Sequence, residues 1–164
     1  MNVLITRAHP ERQSFNGGLA DIAKERFEAE GHAVELNDLY RKGFDPVEGP
    51  HQYSRCEATD IFHPLDEQQS HFKQKQLSDA VQGAIALLEW AGLLILQFQL
   101  WRHAQPAISK GCMDRVLVLG GLYSGSQRYD DAHVPGSKSI CTVTTLPPQI
   151  SHIAFCRAGT TVTW

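Results

Sequence analysis

The spacing of apolar residues along the first 36 positions predicts a strand, a helix and a second strand. Residues 3–6 form a short leucine and β-branched run, typical of a buried strand. Within 15–30, apolar residues recur at three- and four-residue steps, the spacing of one helix face; they are Phe15, Leu19, Ile22, Ala23 and Phe27. Ser14 is a good N-cap for this helix, and Gly31 stands where a glycine would end it. Residues 33–36 are then predicted as a second strand, parallel to the first through a right-handed crossover.

The same alternation of elements continues after residue 76. Ser78 opens a helix whose repeating apolar positions are Val81, Ala84, Ile85 and Leu88. Gly92 closes it, and residues 93–98 are nearly all apolar, as in a strand covered on both faces. Pro106 starts a further helix, whose apolar positions are Ile108, Met113, Val116 and Leu117. Residues 139–145 are predicted as a fourth strand, so the pattern favours a doubly wound α/β sheet.

Residues 37–76 do not follow this pattern. They are polar, rich in His, Gln, Asp and Pro, and are predicted to form a long irregular loop with a functional role. Asp66 and Glu67 lie near several histidines, but the spacings match no metal-ligand motif. A solvated loop is therefore expected there, and no metal site.

Length and composition narrow the possible classes of protein. The chain has 164 residues, which suits one domain, with 42% hydrophobic and 20% charged residues, as in ordinary globular proteins. A formal charge of −3 argues against nucleic-acid binding. The four widely spaced cysteines, without a CxxC pair, indicate reduced thiols rather than a zinc site or a disulfide framework. No apolar run is long enough to span a membrane, so no membrane insertion and a cytoplasmic location are expected.

Three loops follow the carboxyl ends of the predicted strands, where doubly wound sheets bind ligands. They are residues 7–16, 99–106 and 144–149. The first ends at a helix N-terminus, whose free N–H groups and dipole favour a phosphate. No GxGxxG, GxxxxGK[ST] or GxSxG motif is present, which disfavours a dehydrogenase fingerprint, a P-loop kinase and an α/β-hydrolase.

Each candidate in these loops also has a purely structural interpretation. Ser14 can be only a helix cap, and His9 only a loop histidine bonded to backbone. Residues 101–103 can be a surface turn packed by one aromatic ring. Thr144 and Thr145 can be ordinary strand residues, since threonine suits strands.

Several motifs, in the right order, resemble the NAD(P)H:quinone oxidoreductase family. AHPERQSFN at residues 8–16 is similar to the family's AHxxxxSFN loop, and NDLY with GFDP at 37–46 to its DLY…FxP segment. LSD at 77–79 and EWA at 89–91 look like its LSxD…EWAD stretch. The most specific match is QFQLW at 97–101 followed by PAI, KG and DRV between 106 and 116, which resembles QFPLWWFxxPAILKGWxDRV. The resemblance covers residues 1–145 of a single domain, and 146–164 form a diverged tail.

The resemblance implies a flavodoxin-like fold with strand order 2-1-3-4-5, the fifth strand being left open by the tail. It also implies FAD in preference to FMN, two-electron reduction of a quinone by NAD(P)H, and a homodimer that completes the flavin site. His9, Ser14, Phe15 and Asn16 would hold the phosphates and ribityl chain. The isoalloxazine ring would be lined by Gln99, Leu100, Trp101, Arg102 and His103, and its polar edge met by Thr144 and Thr145.

The ring end departs from the family pattern. Gln99 replaces a proline, Arg102 and His103 replace two aromatic residues, and Leu146-Pro147 replaces a glycine pair. Fewer aromatic rings and lost backbone donors weaken a flavin site. The family's catalytic tyrosine and histidine have no match here, so no catalytic residue is assigned. A non-catalytic flavodoxin-like module for binding or dimerisation is therefore the alternative to the enzyme.

Overall fold

The computed structural model describes residues 1–56, 61–123, 137–145 and 155–157. Their centre is a five-stranded sheet in the order β2-β1-β3-β4-β5. Its strands are β1 (Asn2–Ala8), β2 (Ala33–Asp38), β3 (Leu93–Gln99), β4 (Lys138–Thr144) and β5 (Phe155–Arg157). The first four are parallel, which confirms the predicted order 2-1-3-4 and the adjacency of β1 and β3. The fifth strand, left open by the sequence, is short and antiparallel to β4.

Within the described residues, four helices flank this sheet: α1 (Phe15–Ala29), α2 (Pro64–Lys73), α3 (Asp79–Trp90) and α4 (Ala107–Val116). A 3-10 turn also occurs at Pro50–Gln52. Because successive side chains of a strand point to opposite faces, β1 serves two cores. Val3 and Ile5 pack in a cluster with Ala20 of α1, whereas Ala8 packs in a second cluster with residues of α3 and α4. Helices on both faces make the sheet doubly wound, as predicted.

For two helices, some residues predicted to be buried are exposed. Phe15 and Ile22 of α1 are 73% and 64% exposed, and the residues buried by this helix are Asn16, Gly17 and Ala20. Leu117 was predicted on the apolar face of the helix that starts at Pro106. It is exposed and lies just after α4 ends.

The loop predicted over residues 37–76 is wrong in one part, since it contains α2. The helix was missed because its buried residues are Glu67, Gln68 and His71, so no apolar periodicity marks it. Its end signals were present in the sequence, with Pro64 in the first turn, acidic residues after it and basic residues in the last turn. Glu67 is 1% exposed, so the expectation of a solvated segment at this position is also wrong.

A buried polar network joins the long connection to α4. Glu48 accepts hydrogen bonds from the Tyr53 hydroxyl at 2.6 Å and from Gln68 Nε2 at 3.2 Å. Arg115, which is 5% exposed, lies 3.5 Å from Glu48 Oε2 through Nε. Its Nη1 donates to the Asp45 carbonyl at 2.6 Å. These bonds hold the connection against the sheet, and buried polar groups so satisfied define one packing arrangement.

Within the described ranges, no helix combines the length and the apolar character needed to cross a bilayer. Among the cysteines whose side chains are described, Cys56, Cys112 and Cys141 are not in disulfide bonds. No group of three or more potential metal ligands occurs in the same part of the chain.

Candidate functional site

The carboxyl ends of β1, β3 and β4 meet at one edge of the sheet. This edge brings together the loop 9–14, the turn 100–106 and the end of β4. Leu100 N–H donates to the Thr144 carbonyl at 2.8 Å, which extends the ladder between β3 and β4 into the turn. The predicted loops around His9, Trp101 and Thr144 therefore form one site.

The start of α1 provides unpaired backbone donors at this edge. Ser14 caps the helix, and its Oγ accepts from Gly17 N–H at 3.1 Å. The Gly18 N–H bonds the Ser14 carbonyl at 2.9 Å, which is the first regular helix bond. The N–H groups of Phe15 and Asn16 have no acceptor within the part of the chain that the structure describes. Such free N–H groups, together with the helix dipole, attract a phosphate.

His9 connects this loop to β3. Its Nε2 lies 3.1 Å from Gln99 Oε1, and Glu11 N–H donates to Nδ1 at 3.1 Å. Nδ1 also lies 3.0 Å from the Glu11 carbonyl oxygen, so the donor and acceptor roles of the two ring nitrogens depend on the tautomer. Ser14 Oγ lies 3.0 Å from the same Nδ1. The loop histidine is thus bonded to backbone, as its structural interpretation holds, and also orders Ser14 and Gln99.

Asn16 is the most deeply placed of the predicted cofactor residues. It is 2% exposed, its Nδ2 donates to Thr144 Oγ1 at 3.3 Å, and its carbonyl accepts from Gln97 Nε2. Its Oδ1 is buried and has no hydrogen-bond partner among the described residues. A buried acceptor without a donor costs about 1–3 kcal/mol. The side chain is therefore ready to accept from a bound hydroxyl or N–H group.

Gly17 allows the loop to close over the helix start. A Cβ at this position would lie 2.0 Å from the Arg12 carbonyl oxygen, which no real side chain tolerates. Neither Gly17 nor Gln97 was singled out from the sequence. Gln97 could have been found as the polar residue inside the apolar run of β3, since a buried amide needs partners.

The turn after β3 holds two residues in the left-handed region. Trp101 and Ala104 pair as a bridge, with N–H to O distances of 2.9 and 3.0 Å in the two directions. Between them Arg102 and His103 have φ of 50° and 63°. Two consecutive positive φ values define a tight turn that asparagine and glycine adopt more readily. The surface-turn interpretation thus describes this segment well, and Trp101 is 37% exposed with its ring centroid 6.3 Å from that of His9.

The other predicted cofactor residues are Phe15, Thr144 and Thr145. Phe15 points outward at the helix start and is 73% exposed. Thr144 ends β4 within the site, and Thr145 follows it half-buried. The Leu146-Pro147 pair lies outside the described residues.

The residues present fit the phosphate end of a flavin nucleotide better than its ring end. The phosphate end has the free N–H groups of α1, the orphan Oδ1 of Asn16 and a glycine that lets backbone approach closely. The ring end has one aromatic side chain, Trp101, in a turn that presents Arg102 and His103 to solvent.

Comparison with known proteins decides the family. A family model described as flavodoxin-like fold matches residues 1–152, past the point where the sequence motifs end. The chain belongs to the flavodoxin-like fold family. Within this family it is 33% identical over 144 residues to ribosyldihydronicotinamide dehydrogenase [quinone] from Pongo abelii and 33% identical over 143 residues to NAD(P)H dehydrogenase [quinone] 1 from Rattus norvegicus. The resemblance to the quinone oxidoreductases is therefore confirmed.

A solved structure agrees with this placement in the family. The putative quinone reductase from Klebsiella pneumoniae superimposes with a TM-score of 0.79 at 29% identity, over 88% of this chain and 59% of that one. The two curated relatives are matched over 87% of this chain but over only 62% and 52% of their own lengths. The chain thus spans less than two thirds of these relatives.

Proposed function

We propose that this protein is a flavin-dependent NAD(P)H:quinone oxidoreductase. The observation that carries the proposal is the start of α1, at the edge where β1 and β3 end, with unpaired N–H groups and the buried, unpartnered Oδ1 of Asn16. This edge is where doubly wound sheets bind nucleotides. The quinone-reductase relatives support the same activity.

Different residues of the chain would bind the two ends of the flavin. The Phe15 and Asn16 N–H groups would bind phosphate, and Ser14 keeps the helix start in place through its cap. Asn16 would accept a hydrogen bond through Oδ1. Trp101 and the turn that follows it would position the isoalloxazine ring, which supplies the two-electron hydride chemistry when bound.

FAD rather than FMN, a quinone as acceptor and a homodimer are part of the proposal. A dimer is supported by the exposed apolar residues Leu65, Leu117 and Tyr123, which line a cleft of about 490 Å³. Sedimentation at micromolar concentration tests this point, and a monomer alone would count against it. The cytoplasmic location stays a prediction from the sequence.

We expect FAD to bind about a hundredfold more weakly than in relatives with an aromatic ring site. Two lost aromatic contacts are worth roughly 0.5–1.5 kcal/mol each beyond buried area. The backbone hydrogen bond that we expect to be lost at Leu146-Pro147 is worth about 1 kcal/mol. The total loss of binding free energy is therefore on the order of 3 kcal/mol. Arg102 can offset part of this loss through a cation–π contact or a charge contact with reduced flavin.

The test is a titration of apoprotein with FAD and with FMN, followed by NAD(P)H-dependent quinone turnover. Ser14→Ala should weaken flavin binding, because it removes the cap that orders the helix start. The matched control is Ser78→Ala at the start of α3, where the N-cap side chain makes no capping bond. Equal effects of the two variants would remove the argument for the phosphate end.

The alternative function is a non-catalytic flavodoxin-like module for binding or dimerisation. It is favoured by Arg102 and His103 at positions where the family has aromatic rings. Protein that binds no flavin, or that binds flavin without quinone turnover, would support this alternative.

A further inference from the structure

A buried arginine lies beneath the first turn of α1. Arg7 of β1 is 2% exposed, and its Nη2 pairs with Asp38 Oδ2 at the end of β2. Its Nε and Nη1 have no hydrogen-bond partner in the described part of the chain. Because buried donors are normally satisfied, this guanidinium retains unused hydrogen-bonding capacity.

Arg7 lies close to the start of α1. A Cβ on Gly17 would lie 2.9 Å from Arg7 Nη1, so the guanidinium contacts the backbone of the helix start. A helix N-terminus carries a partial positive charge of its own. A cation buried at that end is unfavourable unless an anion is close, and Asp38 supplies only one carboxylate.

A surface cavity opens next to this arginine. It has a volume of about 430 Å³ and is lined by Arg7, Pro10, Arg12, Asp38, Tyr40 and Arg41. Three guanidinium groups therefore face one carboxylate in the wall. Arg12 is paired outside the cavity with Asp21 at 2.5 and 2.7 Å. Arg41 is exposed and forms no ion pair with any described carboxylate.

We propose that this cavity, the arginine pocket, binds a phosphate-bearing anion. The forked guanidinium group of Arg41, which is in no ion pair with a described carboxylate, matches phosphate oxygens in geometry, and the Tyr40 hydroxyl adds a neutral donor. Arg7 contributes positive charge from below, where water screens it least. The site is separate from the flavin phosphate site near Ser14, and it goes beyond the proposed redox activity without depending on it.

The ligand is defined by its chemistry as a phosphate group with two negative charges. Two sources can supply it: the 2′-phosphate of NADPH, or a free phosphate. The arginine pocket and the flavin site share the loop 9–14, which contributes Pro10 and Arg12 to the pocket and His9 to the flavin site. A nucleotide that reaches across this loop is therefore a reasonable carrier.

Calorimetric titration of the full chain with inorganic phosphate and with 2′,5′-ADP, at constant ionic strength in chloride, tests the proposal. We expect saturable binding at the arginine pocket, separate from phosphate bound at the flavin site, and Arg41→Gln should weaken it about tenfold, as removal of one charge-assisted contact does. Arg26→Gln is the matched control, since Arg26 is a surface arginine of α1 paired with Glu30 at 3.0 Å. It should leave binding unchanged, and both substitutions are at exposed positions and should fold normally.

The outcomes separate the sources and the two sites. Tighter binding of 2′,5′-ADP than of 5′-AMP or phosphate identifies the nucleotide phosphate, whereas equal binding of 2′,5′-ADP and phosphate identifies a free phosphate. Ser14→Ala should not change the affinity of the arginine pocket for either ligand, because Ser14 belongs to the flavin site. The proposal is overturned if no saturable binding occurs, if Arg26→Gln weakens it as much as Arg41→Gln, or if only Ser14→Ala does. No flavin is needed for these titrations, so failure of the proposed redox function would leave their result intact.

Discussion

His9 Nε2 lies 3.1 Å from Gln99 Oε1, and this hydrogen bond joins the loop before α1 to the end of β3. The two residues are 90 positions apart. Through the other ring nitrogen, His9 accepts from Glu11 N–H and lies beside Ser14 Oγ. One imidazole thus links the ring end of the site to its phosphate end, and Gln99 stands where the quinone oxidoreductases have a proline that could not make this bond.

Replacing Gln99 with leucine should loosen the loop. The His9 ring loses its side-chain partner, which costs about 1 kcal/mol. Amide hydrogens of residues 10–14 should then exchange faster, as measured by hydrogen exchange. Gln105→Leu is the control, because Gln105 bonds Ser109 and Met113 in α4 and does not touch this loop. Unchanged exchange in Gln99→Leu would contradict the proposed role of the bond.

The turn at Arg102 and His103 should be stabilised by residues suited to positive φ. Arg102→Asn together with His103→Gly should raise the free energy of unfolding by about 1–2 kcal/mol, because both positions have φ in the left-handed region. Denaturant titration measures the change. Lys75→Gly is a matched control with φ of 58° after α2. It should stabilise the fold without altering FAD affinity, whereas the turn variant should alter both.

The Tyr53 hydroxyl should make stability depend on alkaline pH. Burial, and then the hydrogen bond to Glu48, raise the pKa of Tyr53 above its usual value of 10.0. A raised pKa in the folded state stabilises the fold below pH 10.0, and this contribution is lost as pH rises above that value.

Tyr53→Phe therefore has two expected effects. At neutral pH it should lower the free energy of unfolding by about 1 kcal/mol, since Glu48 loses a donor but keeps Gln68 and Arg115. Above pH 10 the variant should lose stability less steeply than the parent. Unfolding curves between pH 7 and pH 11 measure both, and parallel pH profiles would contradict the assignment.

Cys112 should resist thiol reagents in the folded protein. It is 8% exposed, and burial raises the pKa of its thiol to about 11, so the reactive thiolate is scarce at pH 8. Cys56 is half-buried and should be alkylated first. Mass spectrometry after brief iodoacetamide treatment reads out both sites. Alkylation of Cys112 at the rate of Cys56 would show that α4 opens readily.

The sequence alone determined the features that depend on local order. Apolar spacing predicted β1, α1, β3 and α3, because a buried face repeats with the period of its own element. Ser14 was predicted as a cap because capping needs only a side-chain oxygen three residues before its donor. The order 2-1-3-4 was implied by the resemblance to the quinone oxidoreductases, and the structure confirms it.

Only the tertiary structure decided the features that join distant residues. Helix α2 was hidden because its buried face is polar, and Gln68 finds its partners in Glu48 and the Asp114 carbonyl, 20 and 46 positions away. The contact between Asn16 and Thr144 spans 128 positions. The role of Arg7 could not be predicted from its place at a strand end, because the fold sets its position beneath α1 and beside Asp38. A polar side chain has no period of its own, so its role is set by whichever donors, acceptors and charges the fold brings to it.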